Sequence, residues 1–205
     1  MPDLGGMTRK YIDIHNIKTD KDHFVIAADA GLENAKRCGI TPDIIIGDFD
    51  SVSAMPKGDN VIRYPIEKDD TDTMLAIKLG LEKGFEEFFI YGGTGGRLDH
   101  TIANIQSLGY IVQNGAKGYL IDDTNIITVI KNSKIRINGD KGKNISVFSL
   151  GDTAQGVFIK GTKYEAEDVT LTNSFPLGVS NSFTEETANI SVENGMLVII
   201  WEGKI

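Results

Sequence analysis

The sequence predicts an α/β protein in two parts: a mostly parallel α/β domain over residues 1–123, then an antiparallel β-sandwich over residues 124–205. From Phe24 to about Asp122, short apolar runs alternate with longer stretches of helical periodicity, the signature of β-α units around a parallel, Rossmann-like sheet. From Asn125 onward come only short β-rich runs separated by Gly, Asn and Asp turn signals, the spacing of a sandwich or partial barrel. No Pro-, Gly- or Ser-rich stretch divides the two, so the boundary near Asp123 is expected without a flexible linker.

Taken in order, "FVIAA", "DIIIG", "EFFIYG" and "GYLID" read as the strands of the first part. Between them, "AGLENAKRCG" reads as a short helix stopping at Gly39. "DTDTMLAIKLGLEKG" is a helix whose apolar side is Met74, Leu75, Ile77, Leu79 and Leu81, and "LDHTIANIQSLGYIVQNG" is a third, closed by Gly115. Ahead of these, "MTRKYIDIHN" looks helical and "MPDLGGMTRK" contains no strand. In the second part the strands are "NIITVIKN", "KIRING", "KNISVFSL", "GVFIKG", "DVTLTN", "ANISVEN" and "MLVIIWEG". Trp201, inside the last of them, is expected in core or dimer packing.

Composition narrows the function. Lys plus Arg total 21 against 29 Asp plus Glu, a formal charge of -8, which argues against nucleic acid or an anionic membrane as the partner. The single cysteine, Cys38, excludes an internal disulfide and any cysteine metal cluster. No apolar run reaches membrane-spanning length and the first residues lack the apolar core of a signal peptide, so a cytoplasmic location is expected.

In open α/β sheets, ligands bind beyond the carboxyl ends of the strands, so residues placed there are the first candidates. Asp29 follows the first strand; Asp48 and Asp50 follow the second, in "GDFDSV"; "GGTGGRLDH", Gly92 to His100, follows the third; and "EKDDTD", with Asp69, Asp70 and Asp72, opens the second helix. Gly92, Gly93, Gly95 and Gly96, around Thr94, let amide N–H groups approach a ligand closely. The loop leads into a helix N-terminus suited to anionic oxygens, and Arg97 adds a forked cation. The acids of "EKDDTD" serve either as a helix cap at Asp70 with a favourable charge at Asp72, or as metal and phosphate chemistry, in which Mg²⁺ supplies the counter-charge a polyphosphate needs in so acidic a protein. "GDFDSV" reads three ways: a turn eased by Gly47, a cation site, or the D-x-D-x-[TV] motif of haloacid-dehalogenase-like phosphatases, with Asp48 as the phosphorylated nucleophile.

Together and in this order, "AADAG", "GITPDIIIGDFDSV", "EKDDTDTMLAI", "GGTGGRLDHTIANI" and the late "GVSNSF" resemble the thiamine pyrophosphokinase family over the whole length. The resemblance implies transfer of pyrophosphate from ATP to the hydroxyethyl oxygen of thiamine, giving thiamine diphosphate and AMP. It implies an α/β domain followed by a β-sandwich, in a homodimer with the thiamine site between subunits. On this sequence it implies Mg²⁺ at Asp48, Asp50 and Asp72, further functional carboxylates at Asp29 and Asp99, nucleotide contacts from Gly92 to Arg97 with His100 beside them, and substrate contacts at Asp69, Ser180 and Asn181. The family's usual first strand has no counterpart in "MPDLGGMTRK", and Ala30 replaces a common glycine. The competing readings are the phosphatase and a catalytically silent nucleotide- or thiamine-binding regulator.

Overall fold

The computed structural model describes residues 23–49, 58–65, 67 and 69–203. The helical-looking "MTRKYIDIHN" with His15, and Asp50 of the D-x-D pair, lie outside the described residues. The chain divides into two compact units, Met1–Phe85 and Glu86–Ile205.

In the first unit, β1 (Ile26–Ala28), β2 (Ile44–Gly47) and β3 (Val61–Arg63) form a parallel sheet in the order β1-β2-β3. The strand at β3 was not expected, because three residues are too few to show a period of two. Between β1 and β2 lies α1 (Gly31–Arg37), which ends as predicted: Gly39 takes φ 67 and the amides of Cys38, Gly39 and Ile40 close on Ala35 and Lys36 carbonyls. Helix α2 (Asp72–Glu82) follows β3 and packs on β1 and β2, burying Ile77 and Gly80. A small core of Ala27, Leu32, Ile45 and Phe49 holds this unit, with Phe24 stacked on Phe85 at 5.3 Å.

In the second unit, β4 (Glu87–Tyr91), α3 (Leu98–Gln113) and β5 (Lys117–Ile121) form a parallel β-α-β element, Tyr91 opposite Ile121. The chain then continues as β6 (Asn125–Lys131), β7 (Lys134–Asn138), β8 (Asn144–Ser149), β9 (Thr153–Lys160), β10 (Ala166–Thr172), β11 (Asn181–Ser182), β12 (Thr187–Asn194) and β13 (Met196–Glu202). All seven strands expected after Asn125 are present. Two sheets result: a six-stranded one in the order β11-β8-β13-β6-β5-β4 and a four-stranded antiparallel one, β10-β9-β12-β7. The parallel strands of the chain thus lie in two sheets, because β5 also pairs antiparallel with β6. One core takes side chains from both sheets of this unit, among them Ile145, Leu197, Ile199 and Trp201 from the larger and Val157, Ile190 and Val192 from the smaller. Burying each of these aliphatic side chains contributes about 1.5–3 kcal/mol, so this core dominates the unit's stability.

Leu197 is fully buried on β13, between β6 and β8. Leu197→Ala is expected to lower unfolding free energy by about 2–5 kcal/mol, read as a shifted urea midpoint at unchanged slope.

Candidate active site

The parallel register of β1 and β2, Ala28 opposite Ile46, brings Asp29 and Asp48 to the carboxyl ends of adjacent strands of the first sheet. The Asp29 amide donates to the Ile46 carbonyl at 2.8 Å, and Asp29 leaves the strand at once with φ 43. Gly47 lies against that turn: a Cβ on it would stand 3.3 Å from Asp29 Cα and N, a tight contact with backbone at a φ of 157 that side chains rarely adopt. Asp48 follows, half-buried, and then Phe49 takes φ 62 with its ring in the small core. The turn expected at Gly47 is therefore shared with Phe49, whose buried ring holds a backbone conformation that a bulky residue rarely adopts.

At the start of α2 the cap is Thr71, whose Oγ1 accepts from the Met74 amide at 3.1 Å. Asp70, expected in that role, lies one residue too early and instead accepts from Lys78 Nζ at 2.6 Å. Asp72 is the first helical residue, where the helix dipole favours a negative charge, and Asp69 is exposed. Among the described residues, no group of three or more His, Cys, Asp or Glu side chains could hold a metal ion. The middle member of the proposed set, Asp50, is outside them.

In the second unit, the glycine loop emerges from the carboxyl end of β4 and is pinned at its middle. Gly93 has no room for a side chain, since a Cβ would stand 2.5 Å from Leu120 Cδ1 and 3.0 Å from Asn104 Nδ2. The Gly93 carbonyl accepts from Asn104 Nδ2 at 2.8 Å, and Thr94 Oγ1 donates to Asp122 Oδ2 at 3.1 Å. Asp122 Oδ1 accepts from the amides of Thr124 at 2.8 Å and Asn125 at 2.7 Å. Partial burial alone would raise the Asp122 pKa, but these amide and hydroxyl donors outweigh it and hold the carboxyl below the usual range. Beyond the pinned pair, Gly95 has φ 81 and Gly96 faces open space.

Arg97 precedes α3 and forks onto Asp99, Nη2 to Oδ2 at 2.6 Å and Nε to Oδ1 at 3.2 Å, both side chains exposed. The hydrogen bond from Arg97 holds the Asp99 carboxyl below its ordinary range. His100 is exposed in the same turn and donates its amide to Asp99 Oδ1 at 3.0 Å.

Ser180 and Asn181 sit elsewhere. Ser180, with φ 59, donates its amide to Ser146 Oγ. The buried Asn181 side chain donates to Thr162 Oγ1 and the Tyr164 carbonyl and accepts from the Tyr164 and Ser182 amides, so its hydrogen-bonding capacity is used inside the chain. They lie at β11, on the opposite edge of the six-stranded sheet from β4, five strand spacings or about 24 Å from the glycine loop's edge. Within one chain the structure does not bring them to the loop.

Asn104 and Asp122 escaped the sequence reading. Asp122 follows "GYLI" at the end of a predicted strand, the same signal that selects Asp29 and Asp48; Asn104 sits mid-helix and carries no such signal. Carboxylates and a glycine loop beyond parallel strands, the loop opening a helix N-terminus, put the molecule in the class of α/β proteins that handle phosphate esters. Residues 16–120 match the family described as thiamin pyrophosphokinase, catalytic domain, and residues 126–197 match thiamin pyrophosphokinase, vitamin B1 binding domain. The chain belongs to the thiamine pyrophosphokinase family. It is 31% identical to the thiamine pyrophosphokinase of Bacillus subtilis over 98% of this chain and 92% of that protein. A crystal structure of the Bacillus subtilis enzyme superposes with a TM-score of 0.83 at 28% identity, covering 97% of this chain and 96% of that one. A Geobacillus thermodenitrificans thiamin pyrophosphokinase shares the fold, with a TM-score of 0.81 at 23% identity over 96% and 94%. Membership favours neither the phosphatase nor the silent-regulator reading.

Because the folded Asp122 carboxyl lies below its unfolded value, its stabilisation is complete above about pH 4 and drains away as pH falls through the folded value. Asp122→Asn should therefore melt below wild type at neutral pH, the gap narrowing in acid; a gap independent of pH down to the folded value would remove the ionised carboxylate from this role.

Proposed function

We infer that the chain is an ATP-dependent thiamine pyrophosphokinase, a transferase making thiamine diphosphate and AMP. The observation that carries the reading is the pair of consecutive matches, a catalytic domain and then a vitamin B1 binding domain, in the order the sequence predicts. On this reading residues 1–123 form a Rossmann-like, ATP-binding catalytic domain and residues 124–205 a β-sandwich for thiamine binding and dimerisation. The core shared by the two sheets of the second unit supports the sandwich.

The thiamine hydroxyl oxygen forms a bond to the β-phosphorus as the bond from that phosphorus to the bridging oxygen breaks, and AMP leaves with that oxygen. Negative charge on phosphate oxygens must be matched and the two reactants aligned, which is most of the catalytic task. Gly92, Gly93, Thr94, Gly95, Gly96 and Arg97 would hold phosphate oxygens, with His100 beside them. Arg97 exchanges its Asp99 partner for the nucleotide, an exchange made easy by the exposure of the pair. Asp72 or Asp99 would take the hydroxyl proton. Asp29 would contact the nucleotide and Asp69 the substrate, and the chain's acidic balance would attract cationic thiamine.

The hard oxygens of Asp48, Asp50 and Asp72 fit Mg²⁺, which when bound would neutralise charge on the polyphosphate. The separation of Ser180 and Asn181 from the glycine loop supports a homodimer in which one subunit's Ser180 region completes the other's site, Asn181 shaping the turn from within. The acidic balance supports neither nucleic acid nor membrane as partner, and no described helix is long and apolar enough to cross a membrane. We place the enzyme in the cytoplasm.

Incubation with ATP, Mg²⁺ and thiamine should yield AMP and thiamine diphosphate in equal amounts; a folded chain that forms no AMP would sink the reading. Asp48→Asn should reduce kcat by roughly 10²–10³ with an unchanged circular dichroism spectrum. Mixing inactive Arg97→Ala with inactive Ser180→Tyr should restore about a quarter of wild-type activity, because each mixed dimer regains one intact site. No recovery after verified subunit exchange would refute the shared site.

A further inference from the structure

We propose that Asn104 and Asp122 are positioning residues that lock the Gly93–Thr94 peptide so that the Thr94 amide, rather than the Gly93 carbonyl, faces the ligand of the glycine loop. The proposal rests on the phosphate-handling reading above and assigns the two residues that make the loop a donor surface.

In a trans peptide the C=O and N–H point in opposite directions, and no described peptide is cis. The Gly93 carbonyl is drawn inward to Asn104 Nδ2 at 2.8 Å, so the Thr94 N–H of the same peptide points away from α3. Among the described residues no backbone carbonyl accepts from that N–H. Glycine at position 93 removes the steric barrier to rotating this peptide, and a rotated peptide would turn a carbonyl, negative at its tip, toward an anionic oxygen. Asn104 opposes the rotation. It is 7% exposed, and losing the Gly93 carbonyl would strand its amide donor away from water.

Asp122 controls the other side of the peptide. The Thr94 hydroxyl donates its hydrogen bond to Asp122 Oδ2 at 3.1 Å, so the side chain is a tether and the residue's donor to a ligand is its backbone. Asp122 is in turn fixed through Oδ1 by the Thr124 and Asn125 amides. The loop is thus clamped at two consecutive residues from two different elements, α3 and the turn after β5, while Gly95 and Gly96 remain unconstrained by packing.

Two near-isosteric variants test this in the full-length protein. Asn104→Leu keeps the forked side-chain shape and removes the donor; Thr94→Val removes the tether. Each is expected to raise the ATP Kd by calorimetry, and the ATP KM, by about tenfold while leaving the thiamine KM unchanged. A packing role alone predicts that Asn104→Leu keeps wild-type ATP affinity, and folded variants that do so overturn the proposal. Should Asn104→Leu fail to fold, Thr94→Val decides. A wild-type chain that binds ATP without forming AMP overturns only the kinase reading; one that binds no ATP overturns both.

Discussion

The second unit depends on the carboxylate of Asp122. At the end of β5 its Oδ1 gathers the next two amides but one, Thr124 and Asn125, and so turns the chain back as β6. That turn changes the sheet from parallel, where β4 meets β5, to antiparallel, where β5 meets β6. Its Oδ2 holds Thr94 in the loop that leaves β4. The same charged group therefore joins the loop that carries the candidate site to a sheet that lines one side of the buried core. Burial works against its ionisation and the donors around it prevail, so the junction is held by an anion with few alternatives.

The first unit solves a related problem with backbone strain. Asp29 at φ 43 and Phe49 at φ 62 lie beyond the ends of adjacent strands, in a region where non-glycine residues cost about 1–3 kcal/mol each. Phe49 offsets this by burial, since its ring is 4% exposed and burying it contributes about 1.5–3 kcal/mol. The two terms are of equal size, so the strained turn survives because the aromatic ring has a core to enter. Gly47 makes the arrangement compact by letting β2 pass directly over the Asp29 backbone. Two acidic residues are thereby delivered to the carboxyl end of one sheet by a small core.

Much of this was legible in the sequence because long, periodic segments report their own burial. Helix α3, closed at Gly115, and the strands from Asn125 onward follow their apolar patterns. What escaped was either too short or non-local. Strand β3 has three residues and β11 has two, below the length at which alternation is visible. The cap of α2 fell to Thr71 rather than Asp70 because Lys78, two turns along the helix, draws the Asp70 carboxylate away; only the folded helix shows that competition. The sequence marks Arg97 as a forked cation but does not show that Asp99, two residues on, accepts both arms of the fork.

The order of residues in a motif also conceals a division of labour among its members. In "GGTGG" the third residue spends its hydroxyl on Asp122, and in "SN" the asparagine spends both ends of its amide on Thr162, Tyr164 and Ser182. The threonine side chain has no donor left for a ligand and that of the asparagine neither donor nor acceptor, yet removing either would release the turn it holds. Ser180 and the Thr94 backbone stand beside them with φ or peptide orientation dictated by those bonds. A motif residue can thus be required for binding without touching the ligand. The distinction matters because a touching residue acts through its own polarity, whereas a holding residue acts through geometry, and a substitution that preserves volume but not hydrogen bonding separates the two.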